Sequence, residues 1–344
     1  MTSICSKKII GVMKNIKLFI PILSIFAVSA FAQEETVFDE IWEFDSENET
    51  ANTIDGDYTA PYDINTLIDV SNGSLTVTGH FENKGITTIK GANTINAEGA
   101  TTKSEYSFNA TGTNQHNRNQ LILENVNINM GNFYNERGGG LNTVSPLLTV
   151  KGYVTFSNNL TTKQYGTILI SEGAKLEILN GKTFAIENSV GTLKFENATK
   201  SQFIAPWEFK NQSESVYDFT ITNDSLECVD ASTAVIQARF VKSLNGKILL
   251  DFTNLMLNND FVAGETYKIA LINSYSGEVD SGKFDDSWQI LAENVLEGEF
   301  AKFAGFTKDN NVLYVNIQAI PEPATYAAIF GAIALLIAAY RRKK

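Results

Sequence analysis

The stretch LLTVKGYVTFSNNLTTKQYGTILISEGAKLEI, residues 147–178, decides the fold. Its apolar and polar side chains alternate in short runs, and Asn, Gly or Ser lies between one run and the next. The alternating apolar positions are Leu148, Val150, Val154, Phe156, Ile168, Ile170, Leu176 and Ile178. A period of two over four to eight residues, broken by turn residues, indicates strands with one buried face. The stretch therefore predicts an all-β body.

The same pattern extends over residues 67–204, and its spacing favours a β-solenoid. The steps between Ile128, Phe156, Ile178 and Phe195 are 28, 22 and 17 residues long. Such intervals suit the coils of a solenoid, in which each coil buries its apolar face only against its neighbours. We therefore favour a parallel β-helix-like body.

A β-sandwich is the alternative fold for this region. No strict repeat is visible in the sequence, and Asn72-Gly73 and Asn180-Gly181 are typical turns of β-hairpins. Hairpins joined at such turns would produce much the same alternation.

The pattern changes near Pro206-Trp207, after which the strands become longer. Tyr217, Phe219 and Ile221, for example, share one face of a predicted strand. Clean alternation with polar partners is expected of an antiparallel sheet with one wet face. We therefore predict a C-terminal antiparallel β module over residues 206–318. Such a module would cap the solenoid or stand beside it. Capping has a physical motive, because an open solenoid end exposes strand edges to aggregation.

The C-terminus has three parts: Pro321-Glu322-Pro323, an uncharged run from Ala324 to Tyr340, and the cations Arg341, Arg342, Lys343 and Lys344. The 17-residue run would rise about 25 Å as a helix, at the lower limit for a hydrocarbon core of about 30 Å. The run predicts a single transmembrane helix. The cations that follow it would stay on the cytoplasmic side, which places the body outside the cytoplasm.

This tail resembles the PEP-CTERM sorting signal of exported bacterial proteins, over about 24 residues. Pro321, Glu322 and Pro323 match the motif of that family, and the tail is also found at the end of some ice-binding proteins. The resemblance implies recognition by an exosortase, processing near the motif and a basic stop at residues 341–344. A permanent membrane anchor with a stiff proline linker is the alternative.

The N-terminus has the form of a secretory signal peptide. A basic start at Met13-Lys14-Asn15-Ile16-Lys17 precedes an apolar run, and Ala30 and Ala32 form an Ala-x-Ala site for signal peptidase. Cleavage there would leave Gln33 as the new N-terminus. Because a signal that begins at Met13 has ordinary length, we expect translation to start there.

These features divide the chain into four predicted parts: a signal peptide (1–32), a solenoid-like region (33–205), a C-terminal β module (206–318) and a sorting signal (319–344). Outside the two terminal signals remain 19 of the 27 basic and 38 of the 39 acidic residues, a net charge of −19. An acidic body of this kind should repel nucleic acid, so nucleic-acid binding is excluded as a function. Cys5 would be lost with the leader, and we expect the remaining Cys228 to be buried.

The sequence offers no constellation of catalytic or metal-binding residues. His80 and His116 lie in unlike contexts, and we expect both to be exposed loop residues. No HExxH or CxxC pattern occurs in the chain. We therefore predict no catalytic residue, no bound metal and no cofactor.

The combined prediction is an exported, non-enzymatic bacterial protein of the cell surface or extracellular matrix. It would pass through an intermediate anchored in the inner membrane, with exosortase and signal peptidase as processing partners and extracellular polysaccharide as a further partner. An adhesin or glycan-binding surface module is the first alternative. A polysaccharide-active β-helix enzyme is the second, and it rests on fold analogy alone.

Overall fold

The computed structural model describes residues 38–43, 53–62, 64–92, 107–137, 145–179, 181–187, 191–198, 200–211, 215–241, 246–274, 295–321 and 323–342. Their strands, in chain order, are β1 (Glu40–Glu43), β2 (Thr53–Ile54), β3 (Tyr58–Ala60), β4 (Asn65–Asp69), β5 (Leu75–Val77), β6 (Phe81–Asn83), β7 (Ile86–Lys90), β8 (Ser107–Asn117), β9 (Gln120–Glu124), β10 (Asn127–Glu136), β11 (Leu147–Lys151), β12 (Tyr153–Phe156), β13 (Leu160–Lys163), β14 (Thr167–Ile170), β15 (Lys175–Ile178), β16 (Thr183–Glu187), β17 (Thr192–Phe195), β18 (Gln202–Asn211), β19 (Ser215–Thr222), β20 (Ile236–Val241), β21 (Gly246–Asn254), β22 (Thr266–Ser274), β23 (Val295–Leu296), β24 (Ala301–Asp309) and β25 (Val312–Ala319). A short 3₁₀ helix covers Asn223–Glu227, and the helix α1 covers Pro323–Arg342.

The described strands form two long sheets, and each turn of the chain contributes to both. Sheet A has the order β1-β4-β7-β9-β11-β14-β17-β19-β21-β23, with every neighbouring pair parallel. Sheet B runs beside it in the order β2-β5-β8-β10-β12-β15-β18-β20-β22-β25-β24. Because parallel neighbours come from successive turns of the chain, the architecture is that of a β-solenoid, as the favoured prediction had it. The hairpin sandwich is wrong for this region.

One coil consists of β11, β12 and β13, and the next coil consists of β14, β15 and β16. In some coils a single long strand replaces the second and third strands: β10 pairs with both β12 and β13. Coil length varies, since Leu147 pairs with Thr167, 20 residues on, whereas Ile86 pairs with Gln120, 34 residues on. This variation explains why no strict repeat is visible in the sequence.

The core fills the interior of the coils. The eight alternating apolar residues of the opening stretch, residues 147–178, are all buried, as predicted. Side chains at equivalent positions stack along the axis: Val150, Ile170, Phe195 and Phe219 are in register, and the last two rings lie parallel at 5.1 Å. Burying one Phe side chain contributes about 1.5–3 kcal/mol, so this stacking supplies much of the stability.

A buried polar ladder accompanies the apolar core at one corner of the coils. Asn83, Asn117 and Asn135 are all 0 % exposed and in register. The Asn83 amide donates to Asn117 Oδ1, and the Asn117 amide donates to Asn135 Oδ1, each at 2.8 Å. Asn135 continues the ladder by donating to Thr162 Oγ1 at 3.3 Å. Because buried amides are costly without partners, the ladder fixes how successive coils are aligned.

The C-terminal end corrects part of the prediction. Pairing stays parallel through β19–β21 and β20–β22, so an antiparallel module from residue 206 is wrong for these strands. Among the described strands, antiparallel pairing occurs at β22–β25 and β25–β24, and β18 runs across the predicted boundary at residue 205. The error has a simple reason. A solenoid strand has one face in the core and one in water, so it shows the same alternation as an antiparallel strand.

The predicted C-terminal helix is present as α1, but its role as a transmembrane span is not supported. Within the described ranges, no helix is both long enough and apolar enough to cross a bilayer. The uncharged run is short for such a crossing, at about 25 Å against a core of about 30 Å. The predicted signal peptide, with Ala30 and Ala32, lies outside the described residues.

Candidate functional site

A group of interacting charges among the described residues lies on the outer side of sheet B, across four neighbouring strands. This group, here called the charged cluster, consists of Glu82, Lys84, His116, Arg118, Tyr134, Glu136 and Lys163. The parallel register creates it, because Glu82 lies opposite His116, His116 opposite Tyr134, and Glu136 opposite Lys163. Residues far apart in sequence therefore become neighbours on adjacent coils, about 4.8 Å apart.

Glu136 is the centre of the charged cluster. Its carboxylate lies 2.9 Å from His116 Nδ1, 2.9 Å from Lys163 Nζ and 3.4 Å from an Arg118 guanidinium nitrogen. The side chain is only 10 % exposed. Burial disfavours the charged form, but the hydrogen bonds from His116 and Lys163 outweigh it and lower the pKa of Glu136 to about 2.

A second carboxylate extends the charged cluster to the preceding coil. Glu82 lies 2.6 Å from Arg118 Nε and 2.9 Å from Lys84 Nζ. Burial opposes the ionised form here too, but these two partners lower the pKa of Glu82 below its ordinary value. Arg118 thus bridges two glutamates on different coils.

An aromatic ring completes the charged cluster. Tyr134 stacks on the His116 imidazole at 5.4 Å, and Lys163 Nζ lies 4.3 Å from the centre of the Tyr134 ring. Cation–π contacts of this kind contribute about 0.5–1 kcal/mol at exposed sites and more when desolvated.

The chemistry of the charged cluster favours a structural role. A carboxylate with its pKa near 2 stays ionised at neutral pH, so Glu136 cannot serve as a general acid there. No group of three or more His, Cys, Asp or Glu side chains suited to a metal ion is found in the described parts of the chain. The alternating charges instead join successive coils to one another.

The two histidines differ in how well the sequence placed them. His80 is an exposed residue between β5 and β6, as predicted, and its Nδ1 lies 2.9 Å from the Asn114 carbonyl. His116 was expected in a loop, but it lies on strand β8 and its side chain is 26 % exposed. Its partner Glu136 is 20 residues away in sequence. The sequence could have indicated this pairing only if the length of that coil had been known.

A second candidate site is a groove on the outer face of sheet A, here called the C-terminal groove. It has a volume of about 380 Å³ and lies across β17, β19, β21 and β23. Its lining includes Lys194, Asp218, Leu249, Asp251, Val295 and Leu296. A volume of this size falls within the range of small-molecule sites, about 300–1,000 Å³.

Most of the described part of the predicted sorting signal lies in the helix α1. Pro321 precedes the helix, and Pro323 is its first residue, a position that suits proline because the missing N–H would be unpaired there. Arg341 and Arg342 form the last turn of α1, whereas Glu322, Lys343 and Lys344 lie outside the described residues.

The buried thiol has no part in either site. Cys228 is 1 % exposed, as expected, and its Sγ lies 3.4 Å from the Ala198 carbonyl in the core.

Comparison of the chain with protein-family models, with curated proteins and with solved structures gave no match.

Proposed function

We propose that this chain is an exported, non-enzymatic protein of the bacterial cell surface or extracellular matrix, sorted by an exosortase through its C-terminal tail. The observation that carries the proposal is the state of helix α1. The apolar side chains of its described part are exposed, among them Phe330 (67 %), Leu335 (73 %) and Leu336 (70 %). A helix that is apolar on all sides needs a non-aqueous partner.

The order of the parts indicates which partner this is. The apolar helix follows Pro321-Glu322-Pro323 and ends in cations, which is the arrangement of the sorting signal it resembles. In our proposal the tail keeps the exported chain at the inner membrane until exosortase acts near the motif, by an association that does not require α1 to span the bilayer. The acidic solenoid is then released to the surface or the surrounding polymer, after signal peptidase has acted at Ala30–Ala32.

The body suits such a role because it is a β-solenoid built on two long sheets. Successive coils are joined by continuous parallel sheets, by the asparagine ladder and by the charged cluster. A solenoid of this kind presents long outer faces, and within the described ranges its buried Cys228 takes part in no disulfide.

Mass spectrometry of the intact protein from its native host tests the sorting proposal. We expect an N-terminus at Gln33 and a C-terminus near residues 321–323. A Glu322→Ala variant should keep the tail and remain with the membrane fraction, whereas the matched Glu299→Ala variant, at an exposed glutamate of the body, should be processed normally. If the wild-type chain at the cell surface still ends at Lys344, the sorting proposal is wrong and the tail is a permanent anchor.

Glycan binding is the second candidate function, and the C-terminal groove is the observation that favours it. The groove combines apolar side chains with carboxylates and an ammonium group in a volume of about 380 Å³. Surface proteins that contact polymers need sites of this mixed character. Titration of soluble oligosaccharides into the purified protein checks this function, and complete failure to bind would leave the scaffold role alone.

A further inference from the structure

Most of the C-terminal groove is formed by side chains that point outward from four successive strands of sheet A, while Leu250 and Val295 of its lining belong to the core side. Lys194, Asp218 and Leu249 occupy equivalent positions on β17, β19 and β21. The last strand, β23, contributes Leu296, which lies opposite Asp251 and is 61 % exposed. Strand pairing thus fixes the lining of the groove, and the site needs no flexible loop among the described residues.

The polar groups of the groove are already oriented. Lys194 Nζ lies 2.8 Å from Asp218 Oδ2, and the Lys194 side chain is 41 % exposed. Asp251 accepts hydrogen bonds at Oδ1 from the Thr253 N–H at 2.9 Å and the Thr253 hydroxyl at 2.6 Å. These two contacts hold the carboxylate in place while using only one of its oxygens. An ordered carboxylate of this kind can accept hydrogen bonds from a ligand without a further loss of side-chain entropy.

The charges of the groove select against anionic ligands, and its ligand set does not suit a divalent metal ion. Two carboxylates, Asp218 and Asp251, face one ammonium group, Lys194, which is already paired with Asp218. An anionic ligand would meet net negative charge in a chain whose overall net charge is −12. A divalent cation would find only two carboxylates, and no metal-binding group is found among the described residues.

The remaining chemistry fits a neutral sugar. A sugar ring presents hydroxyl groups at its edge and C–H groups on its faces. The hydroxyls can donate to Asp218 and Asp251 and accept from Lys194, while the C–H face packs on Leu249 and Leu296. A purely apolar ligand would remove water from the two carboxylates without offering them a new hydrogen bond, which is costly.

We propose that the C-terminal groove binds a neutral hexose unit of a polysaccharide, with Asp251 and Asp218 as hydroxyl acceptors and Leu249 and Leu296 as the apolar platform. This inference rests on the glycan-binding function proposed above. It is independent of the sorting signal, because the groove belongs to the solenoid body and α1 contributes nothing to it.

Isothermal titration of the full-length chain in a sugar-free detergent tests the proposal. The probes are four-residue neutral oligosaccharides of glucose, mannose and galactose, with uronate oligomers and glucosamine oligomers as the anionic and cationic comparisons. Asp251→Asn removes the charge but retains an acceptor for Thr253, and Leu249→Arg fills the groove. Glu124→Gln, on the same face of sheet A but on β9, is the matched control.

We expect at least one neutral probe to bind, and its affinity to fall about tenfold or more in the Asp251→Asn and Leu249→Arg variants but not in Glu124→Gln. Two groove variants with unlike chemistry keep the test valid if one of them fails to fold. The proposal is overturned if only charged oligomers bind, if no neutral probe binds at about 10 mM, or if the groove variants bind as well as the wild type. If both termini are processed correctly but the binding test fails in this way, the hexose-binding proposal is refuted and the sorting proposal stands.

Discussion

Replacing Asn135 by alanine should destabilise the solenoid far more than the same change at Asn132 on the same strand, β10. Asn135 is 0 % exposed and accepts a hydrogen bond from the Asn117 amide at 2.8 Å. It donates to the Thr167 carbonyl at 2.8 Å and to Thr162 Oγ1 at 3.3 Å. Asn132 is partly exposed and accepts one hydrogen bond, from the Asn159 amide at 3.0 Å.

The magnitudes follow from these contacts. Each buried hydrogen bond contributes about 1 kcal/mol net, and a polar group left without a partner adds to the loss. Asn117 retains the Leu147 carbonyl as an acceptor at 3.1 Å, which limits the damage on that side. We therefore expect a loss of roughly 3–4 kcal/mol for Asn135→Ala and about 0.5–1.5 kcal/mol for Asn132→Ala.

Urea unfolding followed by circular dichroism measures both losses, as the shift of the midpoint multiplied by the slope of the wild type. Because a repeat architecture can open locally, native-state hydrogen exchange of the β10 and β13 amides provides a second measurement. A difference between the two variants of less than about 1 kcal/mol would refute the view that the asparagine ladder holds the coils together.

Three further predictions concern pH, packing and the tail. Folding lowers the pKa of Glu136 from 4.5 to about 2, so its contribution of about 3 kcal/mol to stability is present above pH 4.5 and is lost as the pH falls towards 2. The Glu136→Gln variant, unfolded with urea at a series of pH values, should therefore lose less stability on the acid side than the wild type. An equal loss of stability with pH in the two proteins would contradict the cluster geometry. Gly131→Ala should cost about 1–3 kcal/mol in the same assay, because its Cβ would press against the carbonyl oxygens of Gly112 and Thr113, and a neutral effect would mean that this corner can relax. Deleting residues 321–344 should leave the unfolding midpoint of the body unchanged, since the described apolar side chains of α1 are exposed; a lower midpoint would show that the helix packs on the solenoid.

The strand pattern and the core were predictable because local alternation reports directly on burial. Leu148, Val150 and Ile168 read as inward-facing, and all three are 0 % exposed. Local alternation does not report on strand direction, however. Tyr217 and Phe219 therefore suggested an antiparallel sheet, although their strand lies between parallel neighbours in sheet A.

The asparagine ladder and the charged cluster could not be predicted, because both depend on the register between coils. Asn83 and Asn117 are 34 residues apart, whereas Asn117 and Asn135 are only 18 apart. Insertions between strands change the length of each coil, so no fixed interval marks the contacts. The pairing of His116 with Glu136 was hidden in the same way.

The most direct test of the whole account is the mass of the mature protein isolated from the surface or surrounding matrix of its native host. We expect a chain that begins at Gln33 and ends near residues 321–323, so that the leader and α1 are both absent. A protein from the surface or matrix that retains residues 1–32 or ends at Lys344 would contradict this expectation.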